Sequence, residues 1–305
     1  MGITMKDNDI DRKLDIALIL MSKSRFDRGL SYAEFVLDAD PNNKTALEVS
    51  GFCKAMLAEY ESAVGVLNRR LRLHGPDAKT YIYLSLIYSR LGDTSRASAY
   101  FRMASENAPD MSIPWYFMGR AYSADGDIEL ARDCFEKAIS IDPKNGNYWS
   151  SLGVMYKEAG DNETAERCYK RAIKLSSENA MAYYNLGNLY IDIGEYEKAE
   201  DNMRIVVGIA PGRYDAWNNL GTVLMLQRKF DEAKMAFIRA LKIYPEYGHG
   251  YYNLACLWSR LRNAKRAVAA LGIAIKLEPH RKALALRDQD FDNLRRDELF
   301  IELMK

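Results

Sequence analysis

The chain is poor in residues that make reactive or metal sites. It has three histidines, His74, His249 and His280, and no two stand four residues apart on one helix face. That spacing is what a helical zinc pair requires, so no metal is expected. Its four cysteines, Cys53, Cys134, Cys168 and Cys256, form no C-x-x-C pair. Cys134 and Cys168 fall at equivalent places on neighbouring helices, whose axes lie ~8–10 Å apart; a disulfide wants Cα atoms ~4.4–6.8 Å apart. Free thiols are therefore expected. No glycine-rich phosphate loop and no G-x-S-x-G elbow is present, which removes the common nucleotide and nucleophile motifs. The reading is a non-enzyme without a cofactor. Net charge is only +1, and no run of five like charges occurs. Neither the basic excess of a nucleic-acid binder nor a polybasic membrane patch is there. The apolar stretch at residues 16–21 is too short to cross a bilayer. The opening MGITMKDNDIDRK lacks a signal-type apolar core. With free thiols, this predicts a cytoplasmic protein.

What the chain does have is a period. Written in rows of thirty-four residues, it falls into register with itself. The row from Ser112 places Trp115, Gly119, Tyr122, Ala131, Phe135, Ala138 and Pro143. The row from Gly146 places Trp149, Gly153, Tyr156, Ala165, Tyr169 and Ala172 in the same columns. Rows from Ala78, Ala180, Tyr214 and Gly248 agree with these. Those from Ile10 and Lys44 are degenerate: Lys54 stands in the second aromatic column and Gly29 where Ala is usual. Large residues at the fourth, seventh and eleventh places trace one helix face. A small residue at the eighth place lets a second helix approach. Gly92-Asp93, Gly126-Asp127, Gly160-Asp161 and Gly194-Glu195 read as a helix stop followed by a cap. Proline at the row end stops the second helix. No alternating strand pattern stands out.

This spacing resembles the tetratricopeptide repeat family, whose unit is a helix–turn–helix. The resemblance implies an all-α, right-handed superhelical solenoid of about eight repeats with starts at 10, 44, 78, 112, 146, 180, 214 and 248. Residues 1–9 are then an N-terminal extension, 10–281 one uninterrupted array, and 282–305 a C-terminal cap. That last stretch is similar to an ending common in bacterial members of the family. Leu284, Leu286, Phe291, Leu294, Phe300 and Leu303 are the side chains expected to cover the last repeat.

The family resemblance also implies a concave groove lined by the first helix of each repeat. Its sixth place holds Asn185, Asn219 and Asn253, with Asn188 and Asn218 beside them. This column is similar to the asparagine ladder of the O-linked N-acetylglucosamine transferase superhelix, where such side chains hold a peptide backbone. An amide offers both donor and acceptor, matching any peptide unit. Earlier rows instead present Val49, Phe52, Tyr83, Leu86 and Phe117, an apolar stripe suited to an amphipathic helix or anchor, or to cover by residues 1–9. The carboxylate clamp for chaperone tails is not matched: Tyr184, His249 and Asn253 stand where its basic residues belong. The expected function is a scaffold or adaptor that binds a peptide or protein segment. The alternatives are a homo-oligomerising assembly protein and the regulatory subunit of a separate enzyme.

Overall fold

The computed structural model describes residues 7–305, and among these every regular element is helical. Residues 1–6, most of the extension expected at 1–9, lie outside the described residues. Where the periodicity predicts one array, contacts divide the chain into two units, Met1–Pro143 and Lys144–Lys305. Contacts in a repeat protein are local, so each unit is described by itself.

The first unit contains four helix pairs. They are α1 (Asp7–Ser22) with α2 (Phe26–Ala39), α3 (Lys44–Met56) with α4 (Tyr60–His74), α5 (Ala78–Arg90) with α6 (Thr94–Asn107), and α7 (Ser112–Asp125) with α8 (Ile128–Ile141). The second holds α9 (Gly146–Glu158) with α10 (Asn162–Leu175), α11 (Ala180–Asp192) with α12 (Tyr196–Ile209), α13 (Tyr214–Leu226) with α14 (Phe230–Ile243), and α15 (Gly248–Arg260) with α16 (Ala264–Leu277). From α3 onward, each first helix begins on the first residue of a row; α1 begins earlier, at Asp7 rather than Ile10. Asp9, in the first turn, favours that start through the positive end of the helix dipole.

Pairing follows from the small eighth place. A methyl built on Gly119 would stand 2.7 Å from the Phe135 ring, and one on Gly221 2.7 Å from Phe237. The aromatic residue of the second helix occupies that space, and Phe135 and Phe237 are fully buried. Between paired helices the chain needs one left-handed residue, at the fifteenth place of the row. Gly92, Gly126, Gly160 and Gly194 supply it in the middle rows, while Ser24, Ala58, Arg228 and Arg262 hold positive φ without being glycine. Each of those four costs about 1 kcal/mol relative to glycine. Asp93 and Asp161 cap the following helix as expected. Asp127 and Glu195 make no side-chain cap bond; Glu195 pairs with Lys198 instead.

One departure from the pattern is chemically conspicuous. In the row from Lys44, the column that holds Ala104, Ala138 and Ala172 elsewhere is occupied by Arg70. Its side chain is 1% exposed. One guanidinium nitrogen donates to the Gly75 carbonyl at 3.1 Å and another lies 3.4 Å from the Asp77 carboxylate. Asp77 in turn caps α5 through the Thr80 amide at 2.8 Å. A buried cation thus pins the turn that leads into the third row.

After α16 come α17 (Arg281–Ala285), a 3₁₀ segment (Gln289–Leu294) and α18 (Glu298–Met304). Phe291, Leu294 and Phe300 are buried in the core that includes Tyr252, Ala255 and Leu271, and Leu303 is packed beside it. Leu284 and Leu286, expected to share that task, are 44% and 46% exposed. The chain turns between α17 and the 3₁₀ segment, and this turn aims them outward. The junction is also polar. Tyr252 donates to Asp288 at 2.6 Å, Ser259 donates to Asn293 at 2.6 Å, and Arg260 pairs with Asp290 at 2.8 Å. This stretch imitates the first half of another row. Asn293 stands thirty-four residues after Ser259, and Asp297, which caps α18, stands thirty-four after Asn263, which caps α16.

Candidate peptide groove

In the second unit the sixth-place asparagines face the preceding first helix as well as open space. Asn185 donates from Nδ2 to Ser150 Oγ at 3.3 Å, Asn219 to Tyr184 OH at 3.3 Å, and Asn253 to Asn218 Oδ1 at 3.0 Å. In all three cases the acceptor is thirty-five residues back, at the fifth place of the previous row. Asn219 also donates to Asn188 Oδ1 at 2.8 Å, and Asn253 reaches Thr222 Oγ1 at 3.5 Å, both at the ninth place. The helices are therefore stitched by a repeating amide contact, not merely lined by polar residues.

Four of these amides form a directional series. Asn253 donates to Asn218, Asn218 to Asn219 at 3.4 Å, and Asn219 to Asn188. In such a chain each bond polarises the next. It ends on the Asn188 amide nitrogen and the Asn253 amide oxygen. Both residues line one open hollow of ≈ 480 Å³, with Lys157, Asp192, Asn219, Thr222 and His249 around them. A second hollow of ≈ 200 Å³ shares Lys157 and Asn188 and adds Asn185 and Tyr169. Asn218 does not line the groove as expected. It is 1% exposed, because the fifth place points at the neighbouring helix, and its role is to connect Asn253 to Asn219.

The hollow carries little net charge. Lys157 and Asp192 pair at 2.6 Å. Burial lowers the pKa of His249, the Arg281 cation lowers it further, and Glu278 offsets this in part, so the ring is neutral at neutral pH. Burial raises the Tyr184 hydroxyl pKa. The Arg213 guanidinium lies 4.1 Å from the Tyr184 ring centre and pairs with Asp215 at 2.5 Å. Neutral donors and acceptors with a compensated ion pair suit a peptide unit better than a charged group.

In the first unit the expected apolar stripe is divided. Phe52, Tyr83 and Leu86 come together around a hollow of ≈ 140 Å³, joined by Ala55, Met56, Tyr60, Ile87 and Arg90. The Phe52 and Tyr83 rings are 4.9 Å apart. Burial raises the Tyr83 hydroxyl pKa against the opposing pull of Lys79. Val49 is not on this surface: it is 1% exposed and packs with Ala17, Leu30, Ala33 and Cys53, since a short branched side chain at that place is covered by the previous helix pair. Phe117 stacks on Phe101 at 5.3 Å, within the cluster that also takes in Met118 and Cys134. Met56, 49% exposed at the hollow's rim, was not singled out from the sequence. Its place at the end of α3 carries no periodic signal.

None of the four cysteines forms a disulfide and all are buried, and burial raises the thiol pKa values of Cys53 and Cys134 to about 11. Among the described residues no group of three or more His, Cys, Asp or Glu side chains could hold a metal ion, and no helix is long and apolar enough to cross a membrane.

A repeated helix pair, glycine-relieved contacts and a groove of first helices define a class of repeat protein. Family models described as tetratricopeptide repeat match residues 78–111, 114–145, 180–213, 214–247 and 134–167, and one described as TPR repeat matches 155–194. The chain belongs to the tetratricopeptide repeat family. No curated protein matches its sequence. Among solved structures it is similar to the APC/C hetero-tetramer Cut9–Hcn1, with a TM-score of 0.67 at 16% identity. That match covers 99% of this chain, which spans 57% of the matched one. It is also similar to PilF of Pseudomonas aeruginosa, with a TM-score of 0.62 at 16% identity, covering 71% of this chain and 96% of that one. At such identities the likeness is one of fold.

Proposed function

We propose that this protein is an interaction scaffold that holds an extended peptide segment in the groove of the second unit. The observation that carries this reading is the amide series Asn253–Asn218–Asn219–Asn188, both ends of which meet one hollow. A peptide unit has one N–H and one C=O. The Asn253 oxygen accepts the first and the Asn188 nitrogen donates to the second. Recognition of this kind is indifferent to the ligand's side chains. Because the four amides already bond one another, their orientation is set before the ligand arrives, which lowers the ordering cost of binding. The same bonding means that few rungs remain for the ligand. At about 0.5–1.5 kcal/mol per net hydrogen bond, the groove alone gives modest affinity.

The first unit supports a complementary contact. Its ≈ 140 Å³ apolar hollow matches in size the cavities of about 150 Å³ that take up benzene. One aromatic or branched side chain of a protein partner fits there. Screening a peptide array and measuring the best binder by titration calorimetry tests both contacts. Asn188→Ala with Asn253→Ala should weaken binding by about 1–3 kcal/mol with helicity unchanged. Unchanged affinity in that variant would remove the amide series from the mechanism.

A further inference from the structure

We propose that the turn edge of the second unit carries an additional interaction surface: a row of arginines, Arg228, Arg262 and Arg296, that docks an acidic protein segment. The three stand at thirty-four-residue intervals, in the fifteenth column, where the four preceding rows have glycine. Arg228 lies between α13 and α14, Arg262 between α15 and α16, and Arg296 between the 3₁₀ segment and α18. All three are exposed. Neighbouring cations are already used: Lys229 pairs with Glu200, Arg260 with Asp290, and Arg295 with Asp292. The side chains of Arg228, Arg262 and Arg296 make no ion pair or hydrogen bond among the described residues, and exposed Lys265 adds a fourth cation beside Arg262.

Backbone geometry adds weight to this. Arg228 has φ 62° and Arg262 φ 55°, the hand that glycine adopts at φ 76–85° in the four preceding rows. Ser24 and Ala58 hold the same hand without a charge, so strain alone selects nothing. What is selective is that both left-handed substitutes in this unit are cations, and that Arg296, outside the left-handed region, puts a third cation in the same column.

The spacing identifies the ligand. The first helices α13 and α15 pack ~8–10 Å apart, so Arg228 and Arg262 at their ends recur at about that interval, and Arg296 follows the 3₁₀ segment that packs on α15. An extended segment in the polyproline-type conformation returns to the same face every third residue, after about 9.3 Å. A carboxylate at every third residue therefore meets one guanidinium each, in charge-assisted bonds. A polyphosphate fits less well. Duplex DNA carries one charge per ~1.7 Å, and the carboxylates of Asp231, Asp292 and Asp297 flank the row.

The test uses the full chain and a labelled synthetic peptide with Glu at every third residue, read by fluorescence anisotropy at low salt. The wild type should bind it, and a Gln-substituted peptide should not bind. Arg228→Gly/Arg262→Gly/Arg296→Gln should bind about tenfold or more weakly. The double variant Arg228→Gly/Arg262→Gly should melt at a higher temperature than the wild type, because it removes two strained Cβ atoms. Binding loss alongside a gain in stability cannot come from unfolding. Arg228→Lys/Arg262→Lys keeps the charges and should keep the affinity. Equal binding by the triple variant would overturn the proposal. So would tighter wild-type binding of a single-stranded oligonucleotide or of phosphatidylserine vesicles than of the peptide.

Discussion

First helices meet through rings in one unit and through amides in the other. In Met1–Pro143 Phe52 lies on Tyr83 at 4.9 Å, and beside this Phe117 of the first helix α7 stacks at 5.3 Å on Phe101 of the second helix α6. In Lys144–Lys305 they are Asn219 to Asn188 at 2.8 Å and Asn253 to Asn218 at 3.0 Å. Phe52 with Tyr83 and Asn188 with Asn219 use the same two columns, the ninth and the sixth, but the forces differ in kind. Ring contacts follow buried area and tolerate rotation about the helix axis. Amide contacts weaken steeply off-angle. One unit therefore gets more stability per contact, and the other a more closely defined groove.

The largest expected effect lies on the ring side. Phe101→Ala should cost about 3–5 kcal/mol through lost burial and the cavity left behind. Hydrogen exchange should show the loss concentrated in α5–α8. An effect below about 1 kcal/mol would mean that the stack contributes little.

The next effect concerns Arg70 and Asp77. Asp77→Ala leaves a guanidinium buried without its carboxylate and removes the α5 cap, costing about 2–3 kcal/mol. Burial by itself raises the Asp77 pKa, but hydrogen bonds from Thr80 and the Arg70 charge prevail, and the net shift is downward. A lowered carboxylate pKa stabilises the fold above the ordinary aspartate value and loses that contribution as pH falls through the folded-state value. Urea midpoints of wild type and Asp77→Asn should therefore differ at neutral pH and converge in acid. A gap that widens on acidification would reverse the sign.

On the amide side, Asn218→Ala should cost about 1–3 kcal/mol, because it leaves the Asn253 and Asn219 groups short of partners. The test that sharpens the contrast is Asn218→Leu. If burial alone mattered, it would restore stability; if direction matters, stability recovers only in part while groove binding is lost. The smallest effect is a gain. Ala58→Gly should stabilise the chain by roughly 0.5–1 kcal/mol by relieving φ 63°. Unchanged melting would show that the turn holds no strain.

The fold was legible because aromatic, small, alanine and proline columns such as Trp115–Gly119–Ala131–Pro143 recur without insertion. The asparagine column was legible as a polar column of the first helices. Its inward bonding was not, since a contact to the residue thirty-five positions back depends on how far one helix is rotated against the next. The burial of Val49 and Asn218 was hidden for the same reason. Arg70 escaped notice because an arginine in a weak row reads as one more surface cation. Only the structure shows it filling an alanine's place and holding the Gly75 carbonyl.

The 3₁₀ segment and α18 reproduce one face of a repeat. Ser259 with Asn293, Arg260 with Asp290 and Tyr252 with Asp288 all join the last full row to this fragment alone. Among the described residues these bonds address the segment to the row directly before it. A duplication of one row farther up the chain would leave every one of these bonds intact. The number of rows before residue 282 can therefore change by copying without disturbing the junction with the segment that follows them.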